Sequence, residues 1–404
     1  MRLASDLPTL NVDFLDPDLV NDPYPALEAI RAAGPVVYNE FADRYMVTSY
    51  RHCAEILGNT RMFNSQQSVP RVKALFGGIT MQSLDGPGHN HVRGIWAEQF
   101  LRSGLEKQRE MITRVVDQRV MPFVERVKSG QTVDAVPAMT RGIPTLVIAY
   151  MLGIEPDHFQ MFSDWSDAMA AKGEATLDHT ARGAELRRKG EEATAALNEY
   201  IRGQLRKRQP TADEDLIDNM NNSPYAREHM PEQDQVASIT QLVFAGNETT
   251  AGLMAITLAV LARHPGQRRL LAADRSLIPQ AIEEIHRCNT ISQSFQRHAC
   301  SDDATVAGLP VPNGAEMMPL LGAANRDPDR WPGPDRFDIR RQRKNHLGFG
   351  FGMHSCLGIN LARLEAQIWL SRLLDELPEF TVEGETDWGT SFAPRRPAAV
   401  WVRA

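Results

Sequence analysis

The sequence predicts a mainly α protein with small β-sheets, and three observations carry that expectation. Apolar residues recur at helical spacing from about residue 85 to 290. Within that span, Val236 to Ala262 holds one formal charge, Glu248, so it reads as a long helix buried on all sides. Short β-like runs between Gly and Pro turns fall at about 30–60, 293–320 and 378–404. At 404 residues the chain has length for two domains, but no repeat or low-complexity linker divides it. One large domain over 1–404 is therefore expected.

In order, residues 23–33 read as a short helix, Val36–Tyr38 and Tyr45–Thr48 as strands, and Ser49–Leu57 as a helix. Residues 64–88 read as loop. The pattern is then helical to about 275, with breaks near 172–176 and 207–232. Three β-like segments follow at Thr305–Ala307, Leu309–Val311 and Ala315–Leu320. Ile359–Leu374 is an amphipathic helix, and Phe380–Val382 and Ala398–Val402 look extended.

A net charge of −7 argues against nucleic acid as the main partner. Cys53, Cys288, Cys300 and Cys356 lie far apart with no CxxC pair, which favours a reducing compartment. The first residues lack the apolar core of a signal peptide, and no run reaches about 18 consecutive apolar residues. The expectation is a cytoplasmic protein without membrane insertion.

Cys356 stands in Phe349-Gly350-Phe351-Gly352-Met353-His354-Ser355-Cys356-Leu357-Gly358, directly before the helix at 359. Alternating glycines let the backbone turn tightly. Unpaired N–H groups and the dipole at a helix start favour a thiolate there. A lone thiolate suits one soft metal bond, such as the axial bond to haem iron, whereas a solitary cysteine is otherwise a small buried hydrophobe. Phe, three glycines, His and Cys at these offsets resemble the haem-binding signature of the cytochromes P450. The resemblance implies that fold, haem b as cofactor, Cys356 as iron ligand, and Phe349, Gly350, His354 and Gly358 around the haem.

Ala245, Glu248 and Thr249 stand at i, i+3 and i+4 and share a helix face. A carboxylate inside an apolar helix is costly unless paired or hydrated. This stretch resembles the family's acid–alcohol pair, which implies that Glu248 relays protons and Thr249 hydrogen-bonds dioxygen, with Ala245 against the haem. A structural alternative is a Glu248 paired with an arginine or lysine. Glu284-Ile285-His286-Arg287 with the later Arg336 is similar to the family's Glu-x-x-Arg network, which shapes the cysteine loop. His89 and Arg93, then Arg297 and His354, match residues that grip the haem propionates. Two departures stand out. Ile291 replaces a common proline, and Arg395-Arg396 replaces a usual Arg-Gly.

By position the family pocket draws on Phe76, Ile79, Phe162, Phe244, Ile291, Phe295 and Phe392, an apolar set suited to a compact hydrophobic molecule. Arg71 and Lys73 are candidates for an anionic substrate group. The implied reaction inserts one oxygen atom of O2 into the substrate, as hydroxylation or oxidative O-dealkylation, with an aromatic or terpenoid-like substrate favoured. No flavin or iron–sulfur motif is present, so NAD(P)H electrons are expected through a separate ferredoxin and its reductase. Arg336, Arg340, Arg341, Arg343 and Lys344 form a basic stretch suited to an acidic carrier, or simply a solvated loop. A peroxide-driven oxygenase and a non-catalytic haem-binding sensor are the alternatives within haem proteins.

Overall fold

The computed structural model of the protein describes residues 7–175, 180–208 and 215–404. The expected breaks near 172–176 and 207–232 lie partly outside the described residues, as does the segment 1–6. Around them run helices Phe159–Glu174, Ala181–Lys207, Leu216–Asn222 and Pro224–His229.

Tyr24–Ala33 is a helix because Leu27 and Ile30, one turn apart, share a buried face. Val37–Asn39 and Arg44–Val47 pair antiparallel. Ser49 then caps Tyr50–Gly58 by accepting the His52 N–H. The stretch expected as loop contains a helix, Val69–Phe76, with Val72 and Phe76 buried. Eight residues give two turns, too few for periodicity to stand out among polar neighbours.

The largest sheet among the described residues has the order Thr9–Leu10, Val37–Asn39, Arg44–Val47, Glu316–Pro319, Arg297–Ala299, Phe63–Asn64. Tyr45 lies opposite Met317 in parallel register, and Arg297 opposite Met317 in antiparallel register. Strands from the N-terminal part and from residues 297–319 thus meet, and they fix Arg297 in the sheet beside Met317. The strand Arg297–Ala299 was not expected, since Arg-His-Ala carries no β-branched residue.

Glu232–Arg263 is the central helix, with Glu232 and Asp234 in its first turn and Arg263 in its last, as the helix dipole favours. By length and composition it passes for a membrane span, but 72% of its apolar window is buried inside the protein. It is a core helix. Ile359–Glu376 packs on Arg102–Lys128, Ile278–Cys288 and the central helix. Trp369 on that helix is fully covered and its indole N–H meets Met139 Sδ at 3.4 Å. Burial of a side chain of this kind contributes about 1.5–3 kcal/mol.

Candidate active site

Gly350 and Gly352 adopt φ of 73° and 71°, where any side chain is strained. At Gly352 a Cβ would also stand 2.8 Å from the Leu57 carbonyl oxygen. The loop closes on itself as the Cys356 N–H donates to Phe349 O and the Gly350 N–H to Leu347 O, each at 2.8 Å. Gly358 caps the helix that follows. Cys356 keeps an open surface, yet burial pushes its thiol up, while the Gly358 N–H, Arg93 and Arg363 draw it back. The thiol is thus open on one side while the atoms packed around it desolvate it. The helix start contributes as expected, but desolvation outweighs it.

The central helix opens in one place. From Val236 to Leu261 its residues are buried except Phe244, Ala245, Gly246, Glu248 and Thr249, and Ala245 is the most open of them. Thr249 Oγ1 donates to the Ala245 carbonyl at 2.9 Å, the back-bond that lets a helix bend. Asn247, on the closed side, is held by Thr145 and Ser166, each at 2.5 Å. Glu248 has a strong partner that the sequence only allowed for in general terms. Its Oε1 accepts from Arg396 at 2.7 Å. Arg395 turns the other way, donating to Val20 O and Asn21 O.

A polar cluster gathers four of the sequence candidates. The His89 and His354 rings meet edge to face at 4.5 Å, and Arg93 donates to Ser355 O at 2.8 Å. His354 Nε2 faces Asp85 at 3.0 Å and Ser65 at 3.3 Å. Burial alone would raise Asp85, but His354 and the Ser65 N–H hold it below its ordinary value. Burial lowers His89 to about 4, helped by His354, so it is a neutral ring. Arg297 is 7% exposed, its Nε has no partner among the described residues, and burial lowers its pKa. A buried guanidinium with an orphan donor suits an anionic group from outside the chain. With the open faces of Cys356 and Ala245, these residues fit a haem, and Arg297 and the histidines would receive its propionates.

The network behind the loop differs from expectation at one member. Glu284 accepts from Arg287 at 2.8 Å, and Arg287 also donates to Asn325 O and Pro334 O. Arg336 is not the third member. Its side chain is 76% exposed and pairs with Asp338 at 2.5 Å. Arg341 takes the place, meeting Glu284 Oε1 at 2.9 Å with 14% exposure. The turn at Gly333 carries Arg336 outward and brings Arg341 back over the helix. Arg341 consequently leaves the basic surface, where Arg336, Arg340, Arg343 and Lys344 remain exposed.

Sequence reasoning also missed Glu283. It is buried between Arg363 at 2.6 Å, His346 and Arg343, both at 3.5 Å. Burial pushes it up, yet hydrogen bonds from His346 and Arg363 hold it far below the carboxylate range. His286 lies 4.5 Å from the Phe349 ring, and Arg363 sits over that ring at 5.1 Å. The adjacent acids Glu283-Glu284 on the buried helix Ile278–Cys288 were the available signal.

Of the pocket candidates, Phe244, Ile79 and Phe295 keep partial exposure. Phe76, Phe162 and Ile291 are 1–3% exposed and serve as packing, Phe76 against Phe244 at 5.6 Å. Phe392 is drawn into the N-terminal cluster by Phe14, 4.6 Å away. Arg71 is exposed and bonds Gln296, while burial of its surroundings lowers its pKa. Lys73 is exposed.

An open cysteine at a helix start, together with an open stretch in a buried central helix, is what a haem-thiolate protein requires. The Cytochrome P450 family model matches residues 31–389, and the chain belongs to that family. It is 29% identical over 393 residues to the cytochrome P450 monooxygenase PikC of Streptomyces venezuelae, covering 94% of this chain and 91% of that protein. Vitamin D(3) 25-hydroxylase of Pseudonocardia autotrophica is 30% identical over 370 residues, covering 89% and 88%. The ligand-free structure of Mycobacterium smegmatis CYP164A2 superposes with a TM-score of 0.84 at 30% identity, covering 97% and 98%. The protein is thus a cytochrome P450 monooxygenase, an oxidoreductase whose cofactor is haem b.

Proposed function

We propose that this enzyme hydroxylates or oxidatively O-dealkylates a compact hydrophobic molecule, aromatic or terpenoid-like, in the cytoplasm. Its electrons come from NAD(P)H through a separate ferredoxin and reductase. The observation that carries the reading is the open face Phe244–Thr249 in a buried helix, which pairs an apolar floor with a carboxylate and a hydroxyl.

Haem held by Cys356 supplies the oxygen activation, favoured by electron density from the thiolate. Cys356 Sγ would be the iron ligand, and the Gly358 N–H favours its negative form. Arg297, Arg93, His89 and His354 hold and orient the propionates. Phe244, Ile79 and Phe295 exclude water and position the substrate. Glu248 carries protons inward at its carboxylate oxygens, and Thr249 Oγ1 orders the hydroxyl side of the window. Arg336, Arg340, Arg343 and Lys344, all exposed, give a basic stretch for an acidic ferredoxin.

The test is turnover with a ferredoxin, its reductase and NAD(P)H under isotopically labelled O2, across a panel screened by haem spin-state shift. One labelled atom is the expected result, in the alcohol or phenol of a hydroxylation or in the carbonyl fragment released by O-dealkylation. Turnover with peroxide but not with the carriers, or label in none of the products, would refute it. Cys356→Ala should lose the thiolate-type carbon-monoxide band.

A further inference from the structure

Behind the Glu248–Arg396 pair lies a cavity of about 20 Å³ lined in part by Arg141, Asp167, Asn247, Glu248, Gly252 and Arg396. That is room for one water. Two ion pairs of different character border it. The inner pair, Glu248–Arg396, is tight at 2.7 Å, with side chains 9% and 11% exposed. The outer pair, Arg141–Asp167, is loose at 3.7 Å, with side chains 39% and 40% exposed, so it reaches bulk water.

Arg396 acts on both carboxylates. Burial raises Asp167, Arg141 and Arg396 draw it down, and Asp164 pushes it up. The site is built to admit the arginine. A Cβ on Gly252, one turn beyond Glu248, would stand 2.9 Å from Arg396 Cβ. Arg395 anchors the backbone beside it, over the Trp388 ring at 3.5 Å. Among the described residues, the charged groups around Glu248 are Arg396 from the C-terminal segment and Arg141 and Asp167 across the cavity, with Asp164 a turn from Asp167.

We propose that Arg396 is a positioning residue for Glu248 and that Asp167 is the outer station through which protons reach it. This rests on the reading of Glu248 as a proton carrier. The Asp167 carboxylate takes a proton from bulk water and gives it to the cavity water. That water in turn releases a proton to a Glu248 carboxylate oxygen, so one O–H bond breaks as another forms and charge is conserved. Neutral Glu248 no longer holds the guanidinium, which stays with the Asp167 carboxylate left behind. The carboxylic acid then turns toward Thr249.

The experiment compares Arg396→Gln, Arg396→Lys and Asp167→Asn with Glu248→Gln in the haem-loaded enzyme with its electron carriers. Arg396→Gln and Asp167→Asn should each lower product formed per NAD(P)H by about tenfold, less than the roughly 10²–10⁴-fold that the acid or base itself supplies, since both act through Glu248. Loss of the cation should move the pH midpoint of product formation upward in Arg396→Gln, and Arg396→Lys should restore most of it. Independently of turnover, the carboxyl infrared band that Glu248→Gln removes should titrate at higher pH in Arg396→Gln. Wild-type coupling, pH profile and band in both Arg396→Gln and Asp167→Asn, with Glu248→Gln impaired, would overturn the port and leave the role of Glu248 standing. Wild-type coupling in Glu248→Gln would remove both. A carbon-monoxide spectrum of each variant reports intact haem binding. Should Arg396→Gln lose haem, Asp167→Asn on the half-exposed pair carries the test.

Discussion

Arg341→Ala should destabilise the protein strongly, and Arg336→Ala hardly at all. Arg341 donates to Glu284 Oε1 at 2.9 Å, Pro332 O at 2.8 Å, Gly333 O at 2.9 Å and Arg336 O at 2.6 Å. Its loss strands a Glu284 carboxylate that is 5% exposed and still has Arg287 on its other side. Breaking a buried pair costs about 3–5 kcal/mol, and the remaining Arg287 bonds bring the estimate to about 2–4 kcal/mol. Arg336 pairs with Asp338 at 76% exposure, where an ion pair is worth about 0–1 kcal/mol. Urea unfolding followed by tryptophan fluorescence, with the carbon-monoxide band read in parallel, measures both. Because the three carbonyls belong to the turn before the cysteine loop, Arg341→Ala should also lose haem at lower urea than the wild type. Equal losses in the two variants, or an Arg341→Ala midpoint at the wild-type value, would refute the assignment of the third network member.

Glu365 is 2% exposed and its Oε2 has no partner among the described residues. Burial raises it from 4.5 to about 8. The folded carboxyl stays protonated while the unfolded one ionises, so stability falls as pH rises from 4.5 to about 8 and levels off above. Glu365→Gln should remove that slope, at most about 1.4 kcal/mol per pH unit, and parallel urea midpoints of variant and wild type across this range would contradict it. Reversing Arg340 and Lys344 together to Glu should slow electron transfer from ferredoxin and flatten its salt dependence. An unchanged rate and slope would dismiss that docking face.

The helical body was legible because long buried helices repeat their apolar residues many times. The Glu232–Arg263 helix and the cysteine loop stood out for that reason and for local motif chemistry. What failed was long-range placement. Arg336 and Arg341 are both arginines of one loop, and only the turn at Gly333 decides which one returns to Glu284. Arg396 marked itself as a departure, yet its partner lies 148 positions away and no local rule pairs them. Phe392 and Phe162 had the right type for a pocket but were drawn into packing by neighbours that the sequence does not identify. Short elements such as Val69–Phe76 carried too few turns to register.

The Thr249 back-bond has a consequence for polarity. A hydroxyl owns one proton, and this one is committed to the Ala245 carbonyl at 2.9 Å. What Thr249 turns to the open side of its helix is therefore a pair of lone pairs. In this conformation it is a socket for an O–H or N–H, not a donor to a bare oxygen. Serine would keep the socket, whereas valine, equal in shape, would leave the turn without it. The helix thus sets the direction in which hydrogen bonds can run across the window, from the guest to the wall.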